Sequence, residues 1–127
     1  VKELMPTILV VDDYSVTIRV LSTQLRKGGY DVVTASNGSE ALSQLEQQKI
    51  DLAIVDIAMP DMDGITLLEQ VRSNQQLAGL PIVMLTASVL DDDRLRALKA
   101  GASGFLTKPV SSWELLDIVN RQLQTKT

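Results

Sequence analysis

An adjacent pair of acids, Asp12-Asp13, a third acid, Asp56, a hydroxyl, Thr86, and an ammonium, Lys108, each stand at or directly after the end of a short apolar run. Brought to one place, three carboxylates repel one another unless a cation joins them. A hard divalent cation with oxygen ligands suits such a set, and Mg²⁺ usually takes one or two carboxylates, keeps several waters and accepts phosphate oxygens. Asp56 then has the chemistry of a carboxylate nucleophile toward a phosphoryl group, giving an acyl phosphate. Lys108 supplies a second positive charge and Thr86 a hydroxyl donor for the transferring group. Such transfer depends on positioning and electrostatics more than on a general base, so the absence of His is no obstacle.

Each residue alone has a plainer reading. Acids after a strand often cap the next helix, which would account for Asp12-Asp13. Asp56 can be a turn residue before Pro60, Thr86 can simply finish a strand, and Lys108 can be a solvated lysine. The joint pattern is what favours chemistry, because capping does not require four separate strand ends to carry matching groups.

The elements that must position these groups follow from periodicity. Five short apolar runs, Thr7–Val11, Asp31–Ala35, Leu52–Val55, Ile82–Thr86 and Gly104–Thr107, alternate with five amphipathic stretches. Ile8-Leu9-Val10-Val11 and Leu52-Ala53-Ile54-Val55 are apolar without alternation, as are Ile82 to Leu85. Strands of this kind belong in a parallel sheet covered on both faces. Ser15 is expected to cap a first helix from about Val16 to Lys27, with Ile18, Leu21 and Leu25 inward and Gly28-Gly29 ending it. Asn37 or Ser39 opens a second helix with Ala41, Leu42 and Leu45 inward. A third follows Gly64 and carries Ile65, Leu68, Val71 and Arg72. A fourth begins at Asp91-Asp92-Asp93, where negative charge suits a helix N-terminus, and ends at Gly101. A fifth starts at Ser111 or Ser112 and carries Leu115, Leu116, Val119 and Leu123. A fivefold β-α repeat predicts a doubly wound α/β domain, in which ligands bind beyond the carboxyl ends of the strands. That is where all the polar groups named above fall.

The bulk composition narrows the function classes. The 127 residues are 45% hydrophobic and 22% charged, as in ordinary globular domains, with a net charge of −4 and no basic stripe, which argues against direct nucleic-acid binding. Cys is absent, which removes thiol chemistry and disulfides. No apolar run reaches the ~18 residues of a membrane span, and no signal-peptide pattern opens the chain. A cytoplasmic protein without membrane insertion is therefore expected, with residues 1–127 forming a single domain.

The set Asp12-Asp13, then Asp56-Ile57-Ala58-Met59-Pro60-Asp61-Met62-Asp63-Gly64, then Thr86-Ala87-Ser88, then Lys108-Pro109, resembles the receiver domains of bacterial two-component response regulators over nearly the whole chain. The resemblance implies a flavodoxin-like (βα)5 fold with strand order 2-1-3-4-5. It implies Asp56 as the phosphorylated residue, Asp12, Asp13 and Asp56 as metal-binding acids, and the Ala58 backbone carbonyl as a further ligand to Mg²⁺, with Mn²⁺ able to substitute. It also implies Thr86 as a switch hydroxyl, Lys108 as the phosphate-binding lysine, a cis Lys108–Pro109 bond, and Phe105 as the aromatic switch. The implied partners are a histidine kinase or histidine phosphotransfer domain, and an effector or a second copy of the chain on the face made by the fourth helix, fifth strand and fifth helix. Such a domain is not an enzyme beyond assisting its own phosphorylation and dephosphorylation. Phe105 lacks the hydroxyl of a tyrosine, and Ala58 and Ser88 are small where many relatives carry larger polar side chains.

Three other readings share parts of this pattern. A phosphohydrolase with an aspartate nucleophile would want a second Asp two residues after Asp56, where Ala58 stands. A flavin carrier of the same fold would want a hydroxyl- or glycine-rich phosphate loop where Asp12-Asp13 stands. A scaffold that works without phosphorylation would normally have lost one of the five polar residues, and all five are present.

Overall fold

Continuous runs of Ile, Leu and Val can be buried on both faces only inside a sheet with helices on each side. The computed structural model, which describes residues 5–60, 62–87 and 91–124, has that arrangement. Strands β1 (Thr7–Val11), β2 (Asp31–Ala35), β3 (Leu52–Asp56), β4 (Ile82–Thr86) and β5 (Gly104–Thr107) alternate with helices α1 (Ser15–Lys27), α2 (Gly38–Gln47), α3 (Gly64–Ser73), α4 (Asp91–Ala100) and α5 (Ser112–Gln124). All strand pairs are parallel, in the order β2-β1-β3-β4-β5. This is the (βα)5 order expected from the resemblance.

Side-chain alternation divides the core in two. Leu9, Val11, Ala53, Val55, Ile82 and Met84 face the helices α2, α3 and α4, while Ile8, Val10, Leu52, Ile54, Val83 and Leu85 face α1 and α5. The sheet's central strands β3 and β4 are buried throughout, whereas the edge strands β2 and β5 are only partly buried. The difference follows from edge strands having a neighbour on one side only.

The helix starts show how local chemistry sets the site. Asn37 and Asp63 cap α2 and α3, accepting the N–H groups of Glu40 and Thr66 at 2.8 Å. Ser111 accepts from Glu114 N–H at 3.1 Å, and its hydroxyl meets the Glu114 carboxylate at 3.0 Å. The expected Ser15 cap is corrected: Ser15 is the first helical residue and the N-cap is Tyr14, which has no side-chain cap bond. The competing bond belongs to Asp12, whose Oδ1 takes the Tyr14 N–H at 2.9 Å and so turns the chain toward the helix one residue earlier. Helix α4 buries only Ala97 among its described side chains and leaves Leu95 52% and Leu98 55% exposed.

Candidate functional site at the carboxyl edge of the sheet

The carboxyl ends of β1, β3, β4 and β5 converge, and the polar residues converge with them. Asp12 follows β1 and is fully buried, Asp56 closes β3 at 4% exposure, and Thr86 closes β4 at 4%. These three and Ser22 are the buried polar residues among those described. One carboxylate oxygen from each of Asp12, Asp13 and Asp56 lies within 4.8 Å of the others, with Asp13 on the solvent side. Lys108, just past β5, places Nζ 3.0 Å from Asp12 Oδ2 and 3.6 Å from Asp56 Oδ2. The Lys108–Pro109 peptide is cis.

Backbone groups hold this constellation in register. Lys108 N–H donates to Thr86 O at 2.8 Å, and Thr86 is the sheet partner of Thr107. Ile57 N–H donates to Leu85 O at 2.9 Å, which carries the β3–β4 pairing past Asp56. Ala58, exposed two residues beyond Asp56, donates its N–H to Asp56 Oδ1 at 3.3 Å. Gly64 N–H returns to Ile57 O at 2.9 Å, and a Cβ at Gly64 would stand 2.2 Å from Asp56 O. No real side chain fits there, so only glycine lets α3 start this close to the end of β3.

The electrostatics are those of an undercompensated acidic pocket. Burial, and then repulsion from Asp12, push the Asp56 carboxyl from its ordinary 3.8 up to about 6, while Lys108 and the Ala58 N–H pull the other way. Burial alone would depress the Lys108 ammonium, but the Asp12 and Asp56 carboxylates outweigh it and hold its pKa above the ordinary value. Asp12 Oδ2 is buried and makes no aligned hydrogen bond, although Lys108 lies within ion-pair distance. A buried carboxylate oxygen with only an ion-pair neighbour, two further carboxylates beside it and one face open to solvent suits a hard cation with oxygen ligands.

Phe105 lies on β5, half-buried, with the guanidinium carbon of Arg94 5.5 Å from its ring centroid. Arg94 Nη2 also donates to Thr107 Oγ1 at 3.3 Å. The sequence reading missed Arg94, because a cation on a polar helix reads as solvated until the rotation of that helix is known. It also placed Arg72 on α3 without a role. Arg72 Nη1 donates to Leu80 O at 2.6 Å and its Nε to Gly101 O at 2.9 Å, tying the entry of β4 to the turn between α4 and β5. Asp61 and Ser88 lie outside the described residues.

Comparison with known proteins agrees with this geometry. The family model described as response regulator receiver domain matches residues 8–120. The chain belongs to the response regulator receiver domain family. It is 44% identical over 108 residues to the alkaline phosphatase synthesis transcriptional regulatory protein PhoP of Bacillus subtilis (strain 168), covering 85% of this chain and 44% of PhoP. It is 42% identical over 114 residues to an uncharacterized 14.6 kDa protein of Leptolyngbya boryana, covering 90% and 87% of the two chains. The chemotaxis protein CheY4 of Vibrio cholerae superposes with a TM-score of 0.91 at 34% identity, covering 94% of this chain and all of that one. The chain spans less than half the length of the first curated transcriptional regulators it matches. Domains of this family are found in two-component systems, where they work with histidine kinases and effector domains. No helix among the described residues is long and apolar enough to cross a membrane.

Proposed function

We propose that this receiver domain accepts a phosphoryl group on Asp56 in the presence of Mg²⁺, or Mn²⁺ in its place. The observation that carries the reading is the juxtaposition of Asp12, Asp13 and Asp56 carboxylates with the Lys108 ammonium at one sheet edge. Asp12, Asp13 and Asp56, with the Ala58 carbonyl, would hold the ion, which when bound offsets the negative charge of the transferring group. An Asp56 carboxylate oxygen forms the new O–P bond. The N–P bond of a phosphohistidine donor breaks, and its electron pair stays on the imidazole nitrogen. Lys108 holds the phosphoryl oxygens, and Thr86 donates its hydroxyl to one of them.

The donor is a histidine kinase or histidine phosphotransfer domain. A hollow of about 390 Å³ next to Lys108, walled by Tyr14, Val16, Val20, Pro109 and Val110, gives such a partner an apolar landing beside the acceptor. Output passes through the α4-β5-α5 face to an effector or a second copy of the chain. On this reading the domain is a signalling device that assists its own phosphorylation and dephosphorylation, not an enzyme with a separate substrate. Acetyl phosphate with Mg²⁺, followed by intact mass, tests it. The parent gains one phosphoryl group and Asp56→Asn gains none; equal labelling of the two rules Asp56 out.

A further inference from the structure

Of the side chains that this phosphoryl chemistry leaves unused, Arg94 has the least ordinary surroundings. It lies on α4, whose neighbouring positions Leu95 and Leu98 stand in solvent. An arginine there would normally extend its charge into water. Its guanidinium is instead laid over the Phe105 ring and bonded to Thr107, while its Nε is buried with no hydrogen-bond partner among the described residues. The nearby Asp93 pairs with Arg96 at 3.7 Å, and Arg94 forms no ion pair among the described residues.

Alternation explains why one side chain reaches both partners. Phe105 and Thr107 are two residues apart on β5, so both leave the same face of the sheet. Their register partners on β4 are Met84 and Thr86. Met84 and Phe105 belong to the core layer beneath α2, α3 and α4. Arg94 therefore bridges α4 to a β5 pair that borders Thr86, the residue whose hydroxyl is proposed to donate to the phosphoryl group.

We infer that Arg94 is a latch that holds the Phe105 ring in its resting position and is released when Thr86 moves toward phosphorylated Asp56. The inference rests on the phosphoryl-acceptor reading for its trigger, while the latch itself concerns the resting protein. Phe105 has no hydroxyl with which to fix its position, so its orientation is set by packing and by the cation above it. The contact is weak by construction, because the buried Nε forfeits its hydration without gaining an acceptor. When the ring turns inward, the guanidinium loses its platform, swings to solvent and regains water. The two arrangements therefore lie close in free energy, as a small local trigger requires.

The chain contains a single phenylalanine, so ring ¹³C labelling reports on Phe105 alone. Ring spectra of the metal-free, unphosphorylated parent are compared with those of Arg94→Ala, Arg94→Lys and Thr107→Val. Arg94→Ala is expected to raise the minor ring conformer roughly 3- to 10-fold. Arg94→Lys keeps the charge without the planar fork and is expected to fall between the two. Thr107→Val keeps the shape and is expected to loosen the latch by a smaller factor. The conformer enriched by Arg94→Ala should match the one that dominates in the parent with Mg²⁺ and beryllofluoride. Ring populations in folded Arg94→Ala or Arg94→Lys that equal the parent's, or that move away from that conformer, overturn the latch. Failure of the parent's Asp12, Asp56 and Lys108 amides to respond to beryllofluoride instead counts against the phosphoryl-acceptor reading. Amide spectra establish that each variant is folded, and Arg94→Lys carries the test if Arg94→Ala is not.

Discussion

Lys108 and Asp12 form the shortest ion pair among the described residues, Nζ to Oδ2 at 3.0 Å, and the acid is fully buried while the lysine keeps about a quarter of its side-chain exposure. The pair joins the end of β5 to the end of β1, strands far apart in sequence. Removing the lysine leaves two buried carboxylates with no counter-charge. Lys108→Met is expected to destabilise the metal-free fold at neutral pH by about 2–4 kcal/mol, toward the lower end for broken buried pairs because Lys108 is still partly hydrated. Excess Mg²⁺ should restore part of the loss, since an ion replaces the missing charge. Urea titrations with and without Mg²⁺ measure both effects, and equal midpoints for parent and variant would show that the pair contributes nothing.

The raised pKa of Asp56 makes the metal-free fold sensitive to pH in a defined direction. Between its ordinary 3.8 and its folded value of about 6, the folded protein keeps a proton that the unfolded chain releases. Stability from this group is thus complete below pH about 4 and is lost as pH rises through about 6, by up to ~3 kcal/mol. Asp56→Asn should abolish this slope and leave the metal-free protein more stable than the parent at pH 7. Mg²⁺, which needs the carboxylate ionised, should flatten the parent's profile in the same window. A set of urea midpoints from pH 4 to 8 decides the matter; a parent profile that rises through this window has the wrong sign for the proposal.

Strand positions were legible because Ile, Leu and Val in unbroken runs have few places to go other than a covered parallel sheet. β1, β2, β4 and β5 match their expected limits, and β3 gains only Asp56. The convergence of Asp12, Asp56, Thr86 and Lys108 followed from the strand ends alone, whereas the β2-β1-β3-β4-β5 order came from the family resemblance, since periodicity does not fix neighbours. Ser15 misled because its type favours capping, while the Asp12 carboxylate had already turned the chain. Arg94 was invisible because its role depends on how α4 rotates over Phe105, and a sparsely apolar helix gives little signal of its facing.

Asp13 differs from Asp12 in a way the sequence did not show: it is exposed, while its neighbour is buried. Its repulsion of Asp56 passes through water and is screened. Repulsion between neighbours suggests that removing Asp13 stabilises the metal-free fold; its exposure predicts that the gain is too small to resolve. Asp13→Ala should instead weaken Mg²⁺ or Mn²⁺ binding, by roughly 10-fold, because the oxygen shell loses one of its charged ligands. Titration calorimetry with Mn²⁺, paired with urea midpoints in chelator, separates the two effects. Unchanged Mn²⁺ affinity would make Asp13 a bystander to the site.

The lifetime of the phosphorylated state is expected to be long, for reasons centred on Ala58. Hydrolysis of an acyl phosphate needs a water held in line with the bond to be broken, and much of the rate comes from that positioning. Ala58 lies two residues past Asp56, exposed, with its N–H on Asp56 Oδ1, and on the phosphoryl-acceptor reading it stands beside the acyl group. A methyl group neither donates nor accepts a hydrogen bond, and water reaching Asp56 from that side is left unoriented. Ala58→Asn and Ala58→Gln supply an amide that can hold the water, and are expected to speed decay of the phosphoprotein by about 10-fold. The extent of phosphorylation by acetyl phosphate under fast-labelling conditions should change far less, because the proposed acceptor Asp56 and its neighbours Lys108, Asp12 and Asp13 are untouched. Decay is followed by intact mass after removal of the donor. Identical decay in the parent and both variants would mean that position 58 does not govern the water, and that the lifetime is set on the Thr86 side of the site.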